Sequence, residues 1–477
     1  MSTAPAGSTQ AGSTQEVTTT SATMDGPDHP VTAALAEFVT TFDLSAVDPA
    51  VVAAAKVLIL DGLGCLVAGA NHPVAGILLR YADEIGGRGS CTLLSRGERT
   101  NAPLAAFVHG AMLHVNDYEP QGAIPMHGTS NLLPPALAVA EQNGRDGSEL
   151  LAAIIVGWEV QSRLRGSGPR DLGGFHPPGM FGPFGAAAAS GRLLGLSSEQ
   201  VAMAFGIAGS RTGGLFANNG TMVKSTHPGN AGRMGTEAAL LAQLGFISNP
   251  DIIDAPRGFA STVFKGDFHP EKVLDGLADA RLLVDPGYTI KRFPAEVNMQ
   301  RVLEACVSLK QKANLSADDI DHLEIELSDV RPDLSRLNPK SGLDGKFSYE
   351  YCGAVAFAED RVGLHSFTDD VRFSPAVEEM LGRVKAVGND AIPRGLHDTW
   401  VVARAYLRDG SVVEEKCKEF KGSPANPMSR EERLAKFSDC VSGAWSGEQQ
   451  ATAVESVEHL EETGRLERVF ELLRAVP

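Results

Sequence analysis

The chain has 477 residues, 43% of them hydrophobic and 21% charged, with a formal net charge of −17. That length accommodates roughly two or three domains and a large buried core. The acidic balance would repel a phosphate backbone, which argues against nucleic acid as a partner. Charge interrupts the apolar stretches short of the ~18 residues of a membrane span, so no membrane association is expected.

In chain order, residues 1–29 are rich in Ser, Thr, Ala, Gly and Pro and contain no Lys or Arg. A signal peptide needs a charged start and an apolar core, and a transit peptide needs Arg. A disordered tail is expected here. From Pro30 onward, apolar spacing predicts helices over 31–42, 48–69, 72–85, 102–115, 131–143, 147–164, 180–194, 198–208 and 232–245. Asp48 and Pro49 suit the start of the second of these, and Ser197 with Gln200 has capping-box spacing.

Near residue 270 the pattern changes. Leu323, Ile325 and Leu327 alternate with Glu324 and Glu326, which reads as a half-buried strand. The stretch from Thr399 to Phe420 reads as a hairpin turning at Asp409-Gly410, and helices are expected near 299–312 and 350–359. Ser429 and Glu432 then open a further helix, in a C-terminal piece too short for its own core. The expected fold is mainly α. A large helical domain (30–272 plus 425–477) carries an inserted smaller α+β domain (273–424). No repeat and no heptad run is evident.

Six cysteines (Cys65, Cys91, Cys306, Cys352, Cys417, Cys440) lie far apart without CxxC spacing, so zinc-ribbon and iron–sulfur frameworks are unsupported and reduced, cytoplasmic thiols are expected. There is no nucleotide-binding loop, no HExxH and no GxSxG. Against a charge of −17, an anionic substrate would need its own local cations. Five stretches hold the candidates. Asp117, Glu119, Gln121 and His127 fall in a loop between two helices, for which an ordinary capped helix–helix loop is the simpler account on spacing alone. His176 precedes Pro177 and Pro178 at a Gly/Ala-rich helix start, where free amides favour a carboxylate. Lys224, His227 and Arg233 cluster beside glycines; a lysine there is either surface-exposed or poised by burial. Lys291, Arg292, Glu296 and Asn298 form a fourth group. Tyr349 and Tyr351 enter an apolar helix, where a core aromatic is the default. Asp117, His127, His176 and His227 could assemble a metal site, but their spacing demands none.

These stretches, in this order, resemble the MmgE/PrpD family. "MVKSTHPGNAGRMGTEAALLAQLGF" is the most specific match, supported by "DGLGCLVAGA", "FHPPGMFGPFGAAAA", "KRFPAEVNMQ" and "FSYEYCGAVAFA". The likeness runs from about Pro30 to the C-terminus. It implies a large all-α domain with a smaller α+β lid, commonly a homodimer, with the site between the two. Matched position by position, it implies Asp117, His127, His176, Lys224 and Tyr351 as catalytic residues and Lys291 as substrate-binding; Gln121, His227 and Glu296 are expected beside them. Three departures stand out. The loop reads "DYEPQ…HGT" where the family resembles "DFDDT…HPS", Gln121 replaces a decarboxylase Thr, and Glu296 replaces a decarboxylase His. "FPAE…Q" is closer to the methylcitrate dehydratase branch, although Asn298 falls where that branch tends to have His.

The function expected is a metal-free, cofactor-independent hydro-lyase acting on a small polycarboxylate such as 2-methylcitrate. Lysines would stabilise charge beside a carboxylate, and histidines would move protons. Epimerisation of a small dicarboxylate, decarboxylation of a cis-aconitate-like acid and a catalytically silent binding protein stand as alternatives.

Overall fold

A computed structural model describes residues 30–476, with 96, 98, 396, 397 and 463 excepted; the expected disordered tail lies outside the described residues. The first half of the fold runs through α1 (Val31–Thr41), α2 (Pro49–Ala70), α3 (Pro73–Ile85), α4 (Ala102–Val115), α5 (Gly128–Asn143), α6 (Gly147–Gly166), α7 (Pro177–Leu194), α8 (Ser198–Gly209) and α9 (Met222–Gln243). The caps are local and form as their residues suggest. Asp48 accepts from the Ala50 amide ahead of Pro49, and the Ser197/Gln200 and Ser429/Glu432 capping boxes both close.

The strands are short except in one sheet. β1 (Cys91–Thr92) pairs with β2 (Arg99–Thr100), and β3 (Gln121–Gly122) pairs with β4 (Tyr288–Thr289), both antiparallel. β5 (Ile320–Leu327), β6 (Val384–Gly388), β7 (Val401–Leu407) and β8 (Val412–Cys417) form a four-stranded sheet in the order β6-β5-β7-β8. β5 and β6 are parallel; the other pairs are antiparallel. Leu323, Ile325 and Leu327 of β5 point into the core, as their alternation requires. Helices Val297–Lys312 and Tyr349–Ala358 pack against the sheet.

Two hydrophobic cores result. One takes side chains from α1 to α9 and from the C-terminal helices Arg430–Val441, Gly447–Glu458 and Arg465–Arg474. The other is built from residues between Phe293 and Phe420. Helix Arg430–Val441 lies along α2, where Phe437 and Cys440 close over Gly64.

α2 corrects one sequence expectation. By length and composition it is apolar enough to cross a membrane, despite Lys56 and Asp61 within it, and 67% of its most apolar window is buried inside the protein. Its buried Asp61 is paired with Lys436 of the C-terminal helices at 2.8 Å. The greasy faces of α2 are spent on packing, with Leu58, Leu63 and Leu66 wholly buried.

Candidate functional site

The site grows from a glycine-on-glycine helix crossing. A Cβ on Gly110 of α4 would stand 2.7 Å from the Gly229 Cα of α9. Only hydrogen side chains permit that approach, which sets the last turn of α4 against the first half of α9. α4 ends at Val115, and Asp117 turns the chain with a left-handed φ of +50°, its amide donating to the His114 carbonyl at 2.8 Å. That conformation costs a non-glycine residue about 1–2 kcal/mol, less for Asp than for most.

The turn aims the Asp117 carboxylate at two ammonium groups. Lys224, in the first turn of α9, donates to Oδ2, and Lys291 donates to Oδ1. Lys291 also donates to the Asp117 carbonyl at 2.9 Å. Lys291 arrives there because β3 and β4 pair Gln121 with Thr289, stitching the Asp117 loop to the strand just before it. Burial opposes charge on Asp117, but Lys224 and then Lys291 hold its carboxyl well below the usual range. A third lysine, Lys346, is buried beside them, donating to the carbonyls of Asn116 at 3.0 Å and Pro294 at 3.1 Å. Burial, against the pull of Asp117, brings its pKa down to about 7, and the neighbouring Lys291 and Lys224 push the same way.

Glu119 is fully buried two residues on. Its Oε1 takes His114 Nδ1 and the Ser130 hydroxyl at 3.2 Å, and lies 3.1 Å from His127 Nδ1, out of line for a hydrogen bond. Burial again opposes its charge, and His114 pulls it well below the usual carboxylate range. His127 and His176 occupy the N-cap positions of α5 and α7, with ring centroids 5.9 Å apart. Burial drives His127 down to about 3, with Glu119 opposing, and drives His176 well below the ordinary imidazole value, with Lys224 adding to the shift. Both imidazoles are therefore neutral near pH 7.

Of these groups, Lys224, His127 and His176 open onto a cleft of about 600 Å³ between the two cores. Gln121, His127, His176 and Lys224 line it on the helical side; Glu296, Asn298, Arg301, Arg331 and Tyr349 line it on the other. Glu296 caps helix Val297–Lys312 by accepting from the Asn298 amide at 2.7 Å. Burial raises its pKa, and Asp117 raises it further. The cleft thus sets neutral imidazoles on one wall opposite a carboxyl that keeps its proton longer than usual, an arrangement suited to proton transfer on a bound anion. A second cavity of about 580 Å³ opens between α2 and the C-terminal helices, but its walls are mainly aliphatic and none of the candidate site residues lines it.

Three expected residues sit elsewhere than expected. Tyr351 is buried in the second core, its hydroxyl donating to the Ser366 carbonyl at 2.6 Å; Tyr349 faces the cleft instead. Lys291 is fully buried on Asp117 and does not line the cleft. His227 stands behind His176, Nδ1 to Nδ1 at 3.0 Å, and likewise does not line the cleft. Sequence reasoning missed His114, Lys346, Arg301 and Arg331, and placed Glu119 in the candidate loop without a role. For His114 and Lys346, isolated polar residues among buried apolar neighbours were the available signal. The two arginines carried none.

The fold also gathers ligand-type side chains. One ligand atom each from His114, His127 and His176 fall within 4.8 Å of one another, as do those of Asp117, Glu119 and His127.

Comparison with known proteins gives these residues a context. The MmgE/PrpD N-terminal domain matches residues 33–271, and the MmgE/PrpD C-terminal domain matches residues 293–462. The second match runs past the second core into helices that pack on the first. Cis-aconitate decarboxylase of Homo sapiens is 30% identical over 427 residues, covering 86% of this chain and 88% of its own. The protein of that name from Aspergillus terreus is 26% identical over 441 residues, 84% and 87% of the two chains. 2-Methylcitrate dehydratase of Cupriavidus necator is 24% identical over 400 residues, 77% and 80%. With both domains matched in order along most of its length, the chain belongs to the MmgE/PrpD family.

Proposed function

We propose that this protein is a lyase that eliminates water from a small hydroxy-polycarboxylate by acid–base chemistry, with 2-methylcitrate or a close relative as substrate. The observation that carries the reading is the cleft itself. His127, His176 and Lys224 line its helical wall, and Glu296 lines the wall opposite.

The substrate's carboxylates lie near Lys224, whose ammonium stabilises the charge that builds as a carbon–hydrogen bond breaks next to a carboxylate. One imidazole takes that proton. Glu296 gives its own proton to the departing hydroxide, after which the imidazole's proton restores it. The Asp117 knot holds Lys224 in place, so Asp117 acts by positioning. Arg331 and Asn298 on the far wall suit a further carboxylate. The 273–424 region acts as a lid over the helical body, and the protein works as a homodimer in the cytoplasm without a cofactor. The unpaired, buried state of all six cysteines fits that compartment.

Decarboxylation is the second reading, favoured by the 30% identity to a cis-aconitate decarboxylase. Gln121 and Glu296, where such enzymes are expected to carry Thr and His, weigh toward dehydration.

The test is a panel of citrate-like and aconitate-like acids, read by alkene absorbance, released carbon dioxide and proton NMR in deuterated water. Dehydration gives a new alkene without carbon dioxide. His176→Ala and Lys224→Ala each lower turnover at least ~100-fold with the fold retained. Near-wild-type turnover in both variants removes this cleft as the active site.

A further inference from the structure

We propose that His114, His127 and His176 form a binding site for one divalent transition-metal ion of the zinc class, and that filling it shuts the cleft's proton-transfer chemistry down.

The three rings come from separate elements: the last turn of α4, the cap of α5 and the cap of α7. One ligand atom of each lies within 4.8 Å of the other two. Zinc–nitrogen bonds of about 2.0–2.1 Å place ligand nitrogens roughly 3.3–3.4 Å apart in a tetrahedron, so the rings need close by no more than ~1.5 Å.

Two observations beyond proximity point to an ion. His114 is buried, and its Nε2 has no hydrogen-bond partner. A buried imidazole nitrogen left bare is costly, and a Lewis acid satisfies it. His114 Nδ1 is held by the Glu119 carboxylate. A carboxylate accepts the Nδ1 hydrogen, which leaves Nε2 as the ring atom open to a ligand. That carboxylate–imidazole pairing is the arrangement that orients histidine for metal binding. His176 Nδ1 pairs with His227 Nδ1 at 3.0 Å, so Nε2 is its remaining ligand atom. His127 Nδ1 makes no aligned hydrogen bond.

Charge favours the imidazole set over the neighbouring trio of Asp117, Glu119 and His127. Asp117 is already taken by two ammonium groups. Glu119 carries no lysine, and its Oε2 is unpartnered, so its negative charge remains to balance a cation. His127 and His176 line the cleft, which leaves the fourth position to water or a substrate oxygen. The bound ion occupies lone pairs that proton abstraction needs. This inhibitory consequence rests on the proposed roles of His127 and His176; the binding does not.

Metal-stripped full-length protein is titrated with cobalt(II). One equivalent per chain giving intense visible bands of a four-coordinate, nitrogen-ligated ion, displaced by zinc, is the expected result; only weak bands of a six-coordinate ion overturn the site. His114→Ala lowers zinc affinity at least tenfold in a chelator competition. His269→Ala removes an exposed imidazole flanked by Asp267 and Glu271 and leaves affinity within twofold. The reverse pattern also overturns it. Should His114→Ala fail to fold, the wild-type cobalt spectrum still decides. Stoichiometric zinc that abolishes turnover, restored by a chelator, supports the inhibitory role. Zinc bound at this site with turnover unchanged retains the site and removes that role, and with it the assignment of the two imidazoles as bases.

Discussion

Replacing Asp117 by Asn tests the electrostatic knot beneath the cleft. The substitution keeps shape and the backbone carbonyl that Lys291 uses at 2.9 Å. It removes the acidic partner that, among the described residues, two buried ammonium groups share: Lys224 at 7% and Lys291 at 0% side-chain exposure. Removing one partner of a buried pair costs about 3–5 kcal/mol, because the remaining charge stays desolvated. Lys224 retains a contact with the face of the Phe347 ring at 4.9 Å, worth roughly 0.5–2 kcal/mol, which places the expected loss toward the lower end. A chain of this size has an unfolding entropy on the order of 1 kcal/mol/K, so Tm should fall by about 3 °C by calorimetry. The decisive measurement is the double variant. Lys291→Met added to Asp117→Asn removes a charge that has lost its partner and should recover at least ~1 kcal/mol, whereas Lys291→Met alone should destabilise. If Asp117→Asn melts with the wild type, or the double variant is no more stable than the single, the knot is not held by charge and the argument fails.

Three further outcomes follow from the same geometry. Lys346 has a folded-state pKa near 7 against about 10.4 unfolded, so between those values the unfolded chain binds the extra proton and stability rises with pH; Lys346→Met should flatten that rise by up to ~1.4 kcal/mol per pH unit, read from urea midpoints at two pH values inside the window. Tyr351→Phe loses one buried hydrogen bond and should cost about 0.5–1.5 kcal/mol in stability while turnover stays within about threefold, whereas a hundredfold loss of turnover would return Tyr351 to the chemistry. Gly110→Ala drives a methyl group against the Gly229 backbone at 2.7 Å and should cost about 1–3 kcal/mol by thermal melt, with turnover falling as α4 and α9 separate; an unchanged protein would mean the crossing tolerates more space than its contacts show.

Helix boundaries were readable because caps and periodicity act over a few residues. The exception is α9, which begins at Met222, ten residues before the predicted start at 232. Pro228, Gly229 and Gly232 read as breakers, and as isolated helix residues they would be. Packing against α4 and α7 outweighs that local cost, because the glycines are the points of closest approach.

The linear chain was sufficient to identify which segments meet at the cleft, since the recognisable motifs place Asp117, His127, His176 and Lys224 together. Which atom of each motif faces the cavity was decided by tertiary structure. Tyr349 and Tyr351 are two positions apart on one helix, about 200° around its axis, so a rotation set by the second core sends one to the cleft and buries the other. Whether Lys291 meets a ligand or a carboxylate depends on the β3–β4 pairing, a contact spanning more than 160 residues. Local interactions are written in adjacent residues; the direction of a side chain at a domain boundary depends on what packs behind it, and that exists only once the chain has folded.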